Sequence, residues 1–177
     1  MNSNKEFRFP VTVLPNILTY CNVAVGTVAI ILAAGNLYYM AGMLIIIGAV
    51  LDRFDGKLAR KYEVANELGK QLDSFADIVT FGIAPALTAY MLSFADLQVL
   101  GMVLAVTFVI SGVYRLARFN ILNNDKAFIG LPITAAGFLL AVLVLYQNKF
   151  DVHPYITAAA MIILSYSMVC KRQIKKI

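Results

Sequence analysis

Residues 44–61 read Leu44-Ile45-Ile46-Ile47-Gly48-Ala49-Val50-Leu51-Asp52-Arg53-Phe54-Asp55-Gly56-Lys57-Leu58-Ala59-Arg60-Lys61, and residues 69–83 read Gly69-Lys70-Gln71-Leu72-Asp73-Ser74-Phe75-Ala76-Asp77-Ile78-Val79-Thr80-Phe81-Gly82-Ile83. One apolar run ends in charge; the next starts in charge and turns apolar at Ile78. This is the pattern of two helices whose charged ends share one surface of a membrane. Extended along the chain, the same reading gives six stretches close to the roughly 20 apolar residues that a bilayer-spanning helix needs. They cover about 14–34, 37–51, 69–94, 97–116, 131–146 and 154–170. Breakers separate them at Gly35-Asn36, Ser93 to Asp96, Gly130-Leu131-Pro132 and Gln147 to Pro154. Pro15-Asn16 and Pro154 suit helix starts. Asn16 and Thr19 are expected to cap the first helix rather than reach a ligand.

Composition agrees. Of 177 residues, 60% are hydrophobic and 14% charged, against roughly 45–50% and 25% in soluble domains. A water-soluble globule of this size could not hide so much apolar surface, and a disordered chain would not carry it. The net charge is +5. In so apolar a chain that charge points to the cytoplasmic face of a membrane rather than to nucleic acid. Fourteen of the fifteen Lys and Arg residues fall in the two tails and in the connections between the second and third and the fourth and fifth stretches. Six spans place all four regions on one side, which the positive-inside rule assigns to the cytoplasm. The expected fold is therefore an all-α integral membrane protein with six transmembrane helices and both termini cytoplasmic. It forms a single domain over residues 1–177. Cys21 and Cys170 are expected to be free thiols.

Six of the ten acidic residues lie between Asp52 and Asp77. A carboxylate at a membrane edge is costly and needs a partner or a function. Asp52 and Asp55 are three apart and Asp73 and Asp77 four apart, so each pair shares one helical face. If the second and third helices are antiparallel neighbours, all four carboxylates converge. Like charges so close require a cation, and hard oxygen donors suit Mg²⁺, Mn²⁺ or Ca²⁺. A salt-bridge network with Arg53, Lys57, Arg60 and Lys61 is the competing reading. Gly56 and Ala59 lie one turn beyond the two aspartates of the second stretch and leave room for a flat or bulky group. Gly69 lies one turn before Asp73. Arg60 offers a fork of donors to phosphate or carboxylate. Arg115 and Arg118, three apart, either hold the carboxylate or phosphate of a substrate or anchor the helix end. Lys126 is read as a solvated loop charge. His153 falls on the opposite side, away from the acidic residues.

Taken together, Asp52-x2-Asp55-Gly56-x2-Ala59-Arg60-x8-Gly69-x3-Asp73-x3-Asp77 matches, at all eight positions, the signature of the CDP-alcohol phosphotransferase family, which the chain resembles. With each residue type at about one in twenty, chance agreement at a given start is on the order of 10⁻¹⁰. The six-span topology of that family agrees with the parse above. The run Gly69 to Ala86, with Leu72-Asp73-Ser74 in place of a Leu-Asp-Pro, resembles the phosphatidylserine synthase branch. So do Tyr114-Arg115-Leu116-Ala117-Arg118-Phe119-Asn120 and Phe128-Ile129-Gly130-Leu131-Pro132.

The resemblance implies transfer of a phosphatidyl group from CDP-diacylglycerol to the hydroxyl of L-serine, with CMP leaving. It implies two divalent cations, Mg²⁺ or Mn²⁺ with Ca²⁺ as an option, held by Asp52, Asp55 and Asp73. Asp77 would be the general base and also touch a metal. Gly56, Ala59, Arg60 and Gly69 would line the CDP-lipid, and Arg115 and Arg118 the serine or a phosphate. The resemblance also implies a homodimer in the cell membrane with its site facing the cytoplasm, and no nucleic-acid partner. Two alternatives stay open: the same chemistry with glycerol 3-phosphate, inositol phosphate or inositol as acceptor, and a small cation transporter. A scaffold protein would leave the four aspartates unexplained.

Overall fold

The computed structural model describes residues 13–61, 67–94, 97–122, 128–150, 152–170 and 173–174; side chains of residues 13–16, 55–61, 67, 122, 128–129 and 173–174 lie outside the description. The elements are α1 (Val13–Ala34), α2 (Tyr38–Lys61), α3 (Glu67–Asp77), a π-helical segment (Ile78–Ile83), α4 (Ala84–Ser93), α5 (Gln98–Leu122), α6 (Ile133–Lys149) and α7 (Pro154–Val169). α3, the π segment and α4 run on without a break, so the described residues form six helical rods near the six apolar stretches. By length and composition, three of them could cross a membrane: Ile17–Ala34, Leu68–Ser93 and Gln98–Ile121. α6 and α7 are shorter apolar helices. Outside the helices, the described residues hold one short antiparallel pairing, Phe128 opposite Ile174 and Ile129 opposite Gln173.

α2 continues past its apolar run to Lys61, as the helical spacing of Asp52, Asp55, Gly56 and Ala59 requires, because helix geometry tolerates charge where the chain leaves the apolar layer. Two features differ from the sequence reading. α5 extends to Leu122, past the expected end at about Leu116, and keeps Arg115 and Arg118 on one helix as expected. Asn16 and Thr19 lie inside α1, which begins at Val13, so neither is a cap. Pro15 and Pro154 do fall in first turns, where a missing N–H costs nothing.

α1 returns into α2 through Gly35 and Asn36. Asn36 takes a positive φ of 63°, a conformation asparagine tolerates, and the Tyr38 hydroxyl donates to its Oδ1 at 2.6 Å. α1 packs along α2 and also against α3, the π segment and α4; α6 covers α2 and α4 from the other side. The π segment is thus enclosed. Thr80, Phe81 and Gly82 within it are buried, and its wider turn presses against three glycines, Gly26, Gly48 and Gly137. A Cβ on Gly26 would lie 2.4 Å from Thr80 Oγ1, and one on Gly137 would lie 2.5 Å from the Phe81 carbonyl oxygen. The second contact is with backbone, which cannot swing aside. Overpacking of this kind costs about 1–3 kcal/mol. Gly137→Ala is accordingly expected to lower the melting temperature of the purified protein by several degrees. An unchanged melting temperature would show that the π segment can retreat from α6.

Candidate active site

Asp52 sits on α2, just past its continuous apolar run. Asp73 and Asp77 lie one turn apart on α3, and Asp77 is the last residue before the π segment. The ligand atoms of these three carboxylates all lie within 4.8 Å of one another. Asp77 is only 7% exposed, and Asp52 and Asp73 are half-buried. The Asp52 and Asp77 side chains touch, while Asp77 Oδ1 is buried without a hydrogen-bond partner. π-helical turns recur at functional sites because they re-aim the residues beside them; here the turn starts directly after Asp77.

Outside the carboxylates themselves, convergence rests mainly on packing through neighbouring elements. α2 meets the third rod through the π segment and α4, and α1 bridges α2 and α3. Three carboxylates held this closely repel one another in a site of low dielectric. A hard cation, bound by carboxylate oxygens, relieves that repulsion and matches the donor set. The residues therefore fit a divalent metal. Among the described residues, the positive charge that acts on Asp77 is the Arg115 guanidinium from α5.

Arg115 is 8% exposed, lies with its Cζ 5.4 Å from the Phe119 ring centre, and leaves its Nε unpartnered. Arg118 donates to the Val169 carbonyl at 3.1 Å, at the end of α7, and lies over the Tyr114 ring. Among the described residues, Arg115 thus stands beside the acidic cluster, while Arg118 is linked to α7. A second link joins α3 to α5 beside the cluster. Asn120 Nδ2 donates to Ser74 Oγ at 3.0 Å, and Ser74 Oγ donates to the Lys70 carbonyl at 3.0 Å. Gly69 lies half-buried on α3, one turn before Asp73. The side chains of Asp55, Gly56, Ala59 and Arg60 lie outside the described residues, as do Lys57 and Lys61 of the alternative ion-pair network; their backbone continues α2. His153 is exposed and stacks on Tyr155 at the start of α7. Cys21 and Cys170 are free thiols.

Three polar side chains have no role in the sequence reading. Ser74 and Asn120 form a bridge that no helical spacing announces. Asn22, fully buried in α1, offers only one hint: a polar residue three positions after the buried Thr19 in an apolar run.

The model of the CDP-alcohol phosphatidyltransferase family matches residues 12–170. The chain belongs to that family. Among curated proteins, this family member is 38% identical over 159 residues to the CDP-diacylglycerol–serine O-phosphatidyltransferase of Bacillus subtilis, covering 89% of this chain and 87% of the relative. It is 38% identical over 144 residues to the enzyme of the same name from Helicobacter pylori, covering 80% of this chain and 61% of the relative. It is 32% identical over 144 residues to the archaetidylserine synthase of Methanothermobacter thermautotrophicus, covering 80% and 60%. The chain thus spans about three fifths of the length of the last two.

Proposed function

We propose that this family member is a phospholipid-synthesising transferase that moves the phosphatidyl group of CDP-diacylglycerol to the hydroxyl of L-serine, releasing CMP. The observation that carries the reading is the convergence of Asp52, Asp73 and Asp77 at the end of α3. The names of the Bacillus and Helicobacter relatives support serine as acceptor. The archaeal relative carries a different lipid name, so the donor's chains, acyl or ether, are the open part of the proposal.

In this reading Asp52, Asp55 and Asp73 would hold two divalent cations, Mg²⁺ or Mn²⁺, and Asp77 could also touch one. Such ions would neutralise phosphate oxygens and the leaving nucleotide. Asp77 takes the proton of the serine hydroxyl. The serine oxygen then bonds to the phosphorus that carries the diacylglycerol, and the bond from that phosphorus to the bridging oxygen of CMP breaks. Gly56, Ala59, Arg60 and Gly69 bound the cytidine and its phosphates. Arg115 is the stronger candidate for an anionic group of serine or of the donor, because it stands beside Asp77. Arg118 is tied to the end of α7, so its part in binding rests on the sequence alone. Six membrane spans, cytoplasmic termini, a site facing the cytoplasm and a homodimer complete the proposal. The Lys and Arg distribution supports the orientation and family resemblance the dimer.

The test is CMP release by the purified protein from CDP-diacylglycerol with Mn²⁺ or Mg²⁺, across L-serine, glycerol 3-phosphate, inositol and inositol phosphate. Release with serine alone, lost on adding chelator, is the expected result. Release with a different acceptor keeps the chemistry and overturns the acceptor. No release from folded protein overturns the transferase reading and turns attention to cation flux.

A further inference from the structure

Asn22 lies in the middle of α1 with no solvent exposure, and neither its Nδ2 nor its Oδ1 has a hydrogen-bond partner. A buried polar group left in that state costs about 1–3 kcal/mol, so an apolar residue there would give a more stable fold. Its neighbours locate it. The Asn22 backbone carbonyl accepts the Thr80 hydroxyl at 2.9 Å. Its Oδ1 faces α2 at Gly48, where an added Cβ would lie 3.0 Å away. Thr80 comes three residues after Asp77, and Gly48 four residues before Asp52. The amide therefore sits about one turn, roughly 5 Å, deeper in the bundle than the place where Asp52 and Asp77 touch. The α2 residue at its own level is a glycine and adds no side chain. One turn above, Asp77 Oδ1 is likewise buried and unpartnered.

A carboxylate that accepts a proton must present a lone pair in a fixed direction. A neutral amide can supply that direction. It donates to the carboxylate without cancelling its charge, as a lysine would. We infer that Asn22 is a positioning residue for Asp77: its Nδ2 donates to the buried Asp77 oxygen in the substrate-bound state and fixes how that carboxylate meets the acceptor hydroxyl. The inference rests on the reading of Asp77 as the base.

Its test uses the full chain with CDP-diacylglycerol, L-serine and Mn²⁺, measuring kcat, both KM values and the melting temperature. Asn22→Leu removes both polar atoms at nearly constant volume. Asn22→Ala and Asn22→Ser form a second, smaller pair that differs by one hydroxyl. Misplacing a reacting group by about 1 Å can cost 10²-fold. Asn22→Leu and Asn22→Ala are therefore expected to lose about 10- to 100-fold in kcat, with both KM values changed less than about threefold. Asn22→Leu melts at or above the parent temperature, as loss of an unpaired buried amide requires, and Asn22→Ser recovers several-fold of the kcat that Asn22→Ala loses. A normal kcat in Asn22→Leu, a loss lying wholly in KM, or an Asn22→Ser no faster than Asn22→Ala overturns the inference. If Asn22→Leu does not fold, the Ala and Ser pair decides alone. Asp77→Asn is measured beside them: full activity there overturns the base reading and this inference together. A crippled Asp77→Asn with a normal Asn22→Leu overturns this inference only.

Discussion

Asp77→Asn is expected to cut kcat for CMP release with L-serine by about 10²- to 10⁴-fold, the range that a positioned general base contributes. The substitution keeps the shape of the side chain and removes its ability to take a proton. CDP-diacylglycerol should still bind, because the asparagine still fits the buried site at the end of α3. One complication comes from Arg115, the positive charge that acts on Asp77. Neutralising the aspartate leaves a buried guanidinium without its counter-charge, and broken buried pairs cost stability. Thermal unfolding and donor binding therefore have to accompany the rate measurement. A folded variant that binds donor and turns over at the parent rate removes Asp77 from the base role.

The second large effect concerns the metal. Asp73→Ala and Asp52→Ala each take one carboxylate from a group whose ligand atoms lie within 4.8 Å of one another. Loss of a residue that merely orients a ligand typically costs 10- to 100-fold in metal affinity. Loss of a ligand itself is expected to cost at least about 100-fold. CMP release should collapse at low Mn²⁺ and return in part as Mn²⁺ is raised, while the parent saturates much earlier. An unchanged Mn²⁺ dependence in both variants would mean that these aspartates pair with basic side chains instead. The measurement is a metal titration of initial rate, with direct Mn²⁺ binding to the same preparations as its check.

Much of this site is legible from residues close together in sequence. Asp73 and Asp77 share a face because four residues make about one turn, and α3 keeps that spacing. The rods fall near the apolar stretches because hydrophobicity and helix length are local properties. The division of labour between Arg115 and Arg118 was not legible. Spacing gives both the same standing, yet α5 directs one toward Asp77 and the other toward the carbonyl end of α7. The Ser74–Asn120 bridge was hidden for the same reason, since its partners sit on different helices. Nor does any local pattern announce a π turn. It follows from glycines on α1 and α6 that let Thr80 and Phe81 press in.

By itself, the sequence determined that this chain is a set of apolar helices with four aspartates at their charged ends, because burial and helical periodicity act over neighbouring residues. The convergence of Asp52 with Asp73 and Asp77, the buried place of Arg115 and the unpaired amide of Asn22 one turn below were decided only by tertiary structure. These depend on how closely whole helices approach, and that distance is set by contacts such as Gly26 on Thr80 and Gly137 on Phe81.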